Sequence, residues 1–252
     1  MILSPCTTII LPVLFSFILF LTPPSLQTQS GPAFSSIQEI PLPAGFHRTE
    51  PPPHSFANWL EHVPLKKNNT VYLYDGRPKS NQAAQYAVLD IPVGNKDLQQ
   101  CADAVMRLRA MWLHAEGRDH EIHFEDNEGK SYRFTAGNNE AKFNSYLQTV
   151  FSYCGTLSLE KQLRAKPIAQ LEIGDVFIRG GSPGHAMIVV DKAVNLDGRV
   201  IFMLAQSYMP AQDIHIVRNA ERPDFGPWYP LAPEKPILTP EWIFSPNQLK
   251  TW

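Results

Sequence analysis

The sequence lacks an excess of either charge. It carries 22 Lys and Arg against 24 Asp and Glu, a formal net charge of −2, with no basic cluster. That excludes the electrostatic footprint of a nucleic-acid binder, which relies on gathered Lys and Arg. Internal repeats and low-complexity tracts are also missing, so the chain reads as one body with appendages rather than an array. Long apolar runs are confined to Ile9–Leu21 (IILPVLFSFILFL), too short for a comfortable membrane span. Cysteine is scarce: Cys6, Cys101 and Cys154.

The apolar run is followed by a polar stretch with small residues, TPPSLQTQSGPA. This is the layout of a secretory signal, although no Lys or Arg precedes the run. Residues 1–30 are therefore expected to be a signal peptide or an uncleaved N-terminal anchor, and the mature chain to be exported to the periplasm or the extracellular space. An uncleaved segment is the only membrane contact expected. Cys6 precedes the run and is not placed to bear a lipid after cleavage. Cys101 and Cys154 would remain, and in an oxidising compartment two cysteines can simply pair.

What is present points to a packed domain. Hydrophobic residues make up 44% and charged residues 18%. The 23 prolines concentrate before residue 53 and after residue 222. Residues 31–55 read as a Pro-rich extended lead-in that wraps the body, and residues 56–252 as a single α+β domain.

Within it, Phe56–Val63 predicts a short helix stopped by Pro64. Val71–Tyr74 and Tyr86–Ile91 predict strands. The stretch NKDLQQCADAVMRLRAMWLHAEGRD predicts the strongest helix, with Asp97 as cap, Gln100 three residues on, and Gly117 as terminator. Its apolar stripe places Cys101 in the first turn. Short strands follow at His120–Glu125 and Ser131–Thr135, then a helix over Ala141–Tyr153. Asp175–Ile178, His185–Val190, Val200–Ala205 and Asp213–Val217 predict strands. The middle two form a hairpin around Asp197-Gly198. The tail from Phe225 reads as irregular, aromatic and packed over the body.

Three residues carry candidate chemistry. A cysteine at a helix N-terminus meets unpaired N–H groups and the positive dipole end, which favour the reactive thiolate. His185 enters a strand from the loop Gly180-Gly181-Ser182-Pro183-Gly184, a rigid mount with open space in front, as a general base requires. An orienting group for the ring is sought in LAQSY. With Val194 opposite Arg199, Met187 faces Gln206 and His185 faces Tyr208, and these four share one face. Gln206 is then the orienter and Ser207, pointing the other way, the runner-up, an outcome that a bulge in the hairpin would swap. Tyr208 is a wall or proton partner. Each has a plainer reading: a core thiol, a strand-end histidine bonded to backbone, a polar residue leaving a strand. His120 and His123, two apart on a predicted strand, face opposite ways and argue against a metal pair. No metal or cofactor is expected. Arg107 and Arg109 read as the solvated side of the helix, or as partners for a substrate carboxylate.

The segments LQQCADAV, IGDVFIRGG…GHAMIVVD and LAQS, in that order, resemble NlpC-type members of the papain-like cysteine peptidases. The resemblance spans roughly residues 97–217. It implies a helix opened by a cysteine and packed on an antiparallel sheet, with a Cys-His-polar triad of Cys101, His185 and Gln206. It also implies an amidase or peptidase acting on cell-wall peptides or another amide substrate. Gln99 and Gln100 would support the oxyanion beside the Cys101 N–H. That group commonly has Asp before the cysteine, Ser after it and His as the third member, where this chain has Gln100, Ala102 and Gln206. Over residues 55–252 the text, including RLRA, GTLSL and LAQSYMPAQDIHI, resembles an uncharacterised bacterial exported family, domain of unknown function 4846. The alternative reading is a non-catalytic exported binding module stapled by a Cys101–Cys154 disulfide.

Overall fold

The computed structural model describes residues 1–2, 34–135, 137 and 139–252. The expected signal or anchor lies outside the described residues, apart from its first two. Along the chain run β1 (Phe46–Arg48), α1 (Phe56–Glu61), β2 (Gln85–Val88), α2 (Cys101–Ala115), β3 (His123–Glu125), β4 (Ser131–Arg133), α3 (Glu140–Tyr153) and α4 (Thr156–Gln162). They are followed by β5 (Arg164–Ala165), β6 (Val176–Arg179), β7 (His185–Asn195), β8 (Val200–Gln206), β9 (His215–Val217), β10 (Tyr229–Pro230), β11 (Ile237–Leu238), β12 (Ile243–Phe244) and β13 (Leu249–Thr251). Among the described residues no helix is long and apolar enough to cross a membrane.

Nine strands form one sheet in the order β2-β9-β8-β7-β6-β13-β5, with β1 added to β7 and β10 to β8. Every pairing is antiparallel. The architecture is mixed α+β, with few helices around a large antiparallel sheet.

Strand β7 is its spine, and its apolar run serves two cores. Ala186, Ile188 and Val190 pack with α1 and α2 on one face. Met187 and Val189 pack on the other with Phe177, Phe202, Leu204, Tyr229, Phe244 and Leu249. Alternation along the strand sends successive side chains to opposite faces, so a strand covered on both sides reads as continuous apolar sequence. The second cover is the C-terminal tail, which is more ordered than expected: β13 pairs with β6 and β10 with β8.

The Pro-rich segment joins the first core. Ile37 and Ile40 are fully buried, β1 lies along β7, and the Arg48 Nη2 reaches buried Asp191 at 2.8 Å. Other expectations are corrected. Residues 71–74 form only isolated bridges, Tyr72 with Pro78 and Leu73 with Gln212. His120 sits in a 3-10 turn rather than a strand. Arg107 and Arg109 are half-buried, the latter stacked on Phe56, Trp112 and Trp252. Helix α4 was not anticipated.

Candidate functional site

Helix α2 begins at Cys101, later than the sequence suggests. The cap is Gln100, whose N–H donates to Asp103 Oδ2 at 2.9 Å. Asp97, the expected cap, instead accepts from the Ala211 N–H at 2.7 Å and so ties the helix approach to the end of the sheet. Cys101 is therefore the first helical residue, where its N–H has no carbonyl one turn back to meet.

The thiol is buried, and burial pushes its pKa up to about 11. The Ala186 backbone N–H, next along from His185, lies within hydrogen-bonding reach of the sulfur and partly offsets that rise, as do the helix-start N–H groups of Cys101 and Ala102. The resting group is a thiol, not a thiolate. No hydrogen bond joins it to the His185 ring. Unliganded sites often hold such pairs apart until substrate arrives.

His185 stands at the first position of β7, 1% exposed. Rings surround it: Tyr208 at 4.9 Å, Trp242 at 5.2 Å and Phe244 at 6.0 Å between centroids. Burial lowers its pKa to about 4, so the imidazole is neutral at physiological pH. Its Nε2 lies 2.7 Å from Gln206 Oε1.

The loop before His185 is held tightly. A methyl group at Gly184 would come within 2.3 Å of the Gly181 carbonyl oxygen and 2.5 Å of Thr156 Oγ1. Thr156, the first residue of α4, donates its hydroxyl to that carbonyl at 3.2 Å. The unanticipated helix is thus the seat of the glycine-rich loop.

Gln206 ends β8 and is fully buried. Its Nε2 donates to Glu241 Oε2 at 2.8 Å and to His215 Nε2 at 3.2 Å. Glu241 also accepts from Lys79 Nζ at 2.6 Å and Asn81 Nδ2 at 3.2 Å. Lys79, Asn81, His215 and Glu241 were not singled out in the sequence. They come from a loop, a short strand and the tail, and no local pattern links them.

The remaining candidates have other partners. Ser207 directs its hydroxyl at the carbonyls of Gln99, at 2.9 Å, and Gln212, at 2.8 Å. It braces the approach to α2 and makes no hydrogen bond to the ring. The Gln99 side chain is buried against the Gln212 carbonyl and Arg107. The Gln100 N–H is occupied by Asp103, which leaves Cys101 and Ala102 as the helix-start amides beside the sulfur. Cys101 and Cys154 are both free thiols, so the staple of the alternative reading is not formed.

Cys101, Cys154, His185, Tyr208 and Trp242 line one cavity of about 360 Å³, whose rim includes the loop from Gly181 to Gly184. The family described as domain of unknown function 4846 matches residues 37–137 and 132–251. The chain belongs to that family. No match was found among curated proteins, and none among solved structures. The two matched segments of domain of unknown function 4846 each supply part of the site. Cys101 and Lys79 lie in the first, and His185, Gln206, His215 and Glu241 in the second. The first match starts at Ile37, where the Pro-rich lead-in enters the core.

Proposed function

We propose that this protein is an exported cysteine hydrolase that cleaves amide bonds, with Cys101 as nucleophile, His185 as general base and acid, and Gln206 as orienter. The observation that carries the reading is the 2.7 Å contact of His185 Nε2 with Gln206 Oε1, made at the wall of the cavity that Cys101 also lines. A carbonyl oxygen only accepts, so Nε2 carries the proton and Nδ1 keeps a lone pair. A neutral imidazole with a free lone pair is the form a general base needs.

In this mechanism a substrate amide enters the cavity. Nδ1 takes the thiol proton as the sulfur attacks the carbonyl carbon, because a thiol with a pKa of about 11 and an imidazole near 4 do not exchange the proton beforehand. The N–H groups of Cys101 and Ala102 at the start of α2 receive the developing oxyanion. The tetrahedral adduct collapses, the C–N bond breaks, and the imidazolium returns its proton to the departing amine. Water, deprotonated by the same ring, then attacks the thioester and releases the carboxylic acid with the free thiol.

The order Cys101, His185, Gln206 and the packing of a cysteine-led helix on an antiparallel sheet support a likeness to NlpC-type papain-like peptidases. On that likeness the substrate class is a bacterial cell-wall peptide. The polar lining from Asp97, Gln100, Thr156 and Ser182, faced by Tyr208 and Trp242, suits a short polar peptide.

The test is hydrolysis of a panel of peptidoglycan-derived peptides by the mature protein, followed by mass spectrometry for new amine and carboxylate ends. Cleavage that disappears in a folded Cys101→Ala protein supports the reading. Cleavage that persists in that variant, or no cleavage of any panel member by wild-type protein, overturns it.

A further inference from the structure

An amide is an ambiguous orienter, because Gln206 can turn either its oxygen or its NH2 to the histidine. The two choices select opposite ring tautomers. What fixes the choice lies behind the amide. Glu241 accepts from three donors, Gln206 Nε2, Lys79 Nζ and Asn81 Nδ2, and so offers the amide only acceptor oxygens. His215 Nδ1 sits 3.0 Å from the Asp213 carbonyl and must donate to it, which leaves the Nε2 lone pair to accept from Gln206. Both neighbours demand the NH2 and leave the oxygen for His185.

We propose that Glu241, held by its ion pair with Lys79 and assisted by His215, is the positioning residue that sets the Gln206 amide and, through it, the proton on His185 Nε2. The chain Lys79–Glu241–Gln206–His185 joins the loop after residue 78, the tail and two strands at one point. Lys79 is 7% exposed and Glu241 is largely covered. A buried ion pair costs desolvation and is weak evidence for stability; fixing an orientation gives it a use. Trp242, the next residue after Glu241, packs on the His185 ring, so the tail delivers both the orienting carboxylate and a wall of the site. The tautomer follows from these hydrogen bonds alone. Only its kinetic consequence rests on the hydrolase reading.

The experiment is the nitrogen-15 spectrum of histidine-labelled protein, with His185 assigned by its loss in His185→Asn. Wild-type protein is expected to show His185 protonated at Nε2. The double variant Lys79→Met/Glu241→Leu replaces the ion pair by apolar side chains, removing one acceptor without leaving a buried charge. There the Nδ1-protonated form should appear beside the Nε2 form, since His215 alone still accepts from the amide, and kcat should fall several-fold, up to about tenfold, with KM little changed, the effect of roughly one hydrogen bond of orientation. Glu241→Gln, which keeps an oxygen for Gln206 and Lys79, should retain the Nε2 proton. A wild-type ring protonated at Nδ1 overturns the proposal whether or not the variants fold. So does a folded double variant with wild-type tautomer and kcat. If the tautomer shifts as stated while no peptide is hydrolysed, the positioning role survives and the hydrolase reading falls.

Discussion

His185 and Gln206 are 21 residues apart in sequence and meet at 2.7 Å across the β7–β8 hairpin, Nε2 to Oε1. That contact needs both strands in register, the glycine-rich loop in place and the tail folded over the second face. Each of these supports can be broken separately.

Gly184→Ala attacks the loop. Its new methyl would overlap the Gly181 and Arg179 carbonyls as well as Thr156 Oγ1, and two of these are backbone atoms with little freedom to yield. The expected result is a loss of about 1–3 kcal/mol in urea unfolding, together with loss of the His185–Gln206 contact in the nitrogen-15 spectrum. A variant as stable as wild type would mean that the loop is slack.

Arg48→Met tests the lead-in strand. Asp191 is buried beneath Arg48, and burial raises its pKa to about 6 even with the guanidinium present. Its raised value means that the protonated form is the one the fold prefers, so stability is lost as pH rises through about 6. Without Arg48 that loss grows. At pH 8 the variant should be about 3 kcal/mol less stable than wild type, because one partner of a buried pair is left charged and alone. At pH 5 most of the difference should vanish. Equal differences at the two pH values would contradict the assignment.

Acid should weaken the fold through two histidines. Burial lowers His185 to about 4 and His215 to about 3, against an ordinary value of 6.5. The unfolded chain therefore binds more protons below 6.5. The contribution is complete above that pH and is lost as pH falls toward 4 and 3, with a slope approaching about 1.4 kcal/mol per pH unit for each group. Unfolding free energies measured from pH 7 to 4.5 should fall less steeply in His215→Phe than in wild type. Parallel slopes would mean that His215 is not held neutral.

Much of the scaffold is legible in the sequence, because periodicity and turn chemistry are local. The hairpin shows where this ends. Placing Val194 opposite Arg199 brings Met187 to Gln206, but the turn pairs Val194 with Val200 instead. A bulge between Val189 and Asp191 then restores the offset, so that Ile188 faces Ala205. The shift at the turn and the bulge cancel, and Gln206 arrives at His185. Asp97 looked like a cap because it precedes an apolar stripe, yet its carboxylate serves Ala211, more than a hundred residues away. The ring of groups behind Gln206 was illegible for the same reason. Lys79 and Glu241 are 162 residues apart, and the tail that carries Glu241 has neither helical nor strand period. Helix α4 has seven residues, too few for a periodic signal.

In the proposed reaction His185 takes a proton from Cys101. The most direct measurement is the rate at which iodoacetamide modifies Cys101 at pH 7, followed by peptide mass mapping to separate it from Cys154, in wild type and in His185→Asn. With a thiol pKa of about 11, only on the order of one thiol in 10⁴ is ionised at pH 7 without help. Modification should be at least about tenfold faster in wild type, with the two rates converging above pH 10. Equal rates at pH 7 would show that the ring never reaches the sulfur, and would rule out His185 as its base.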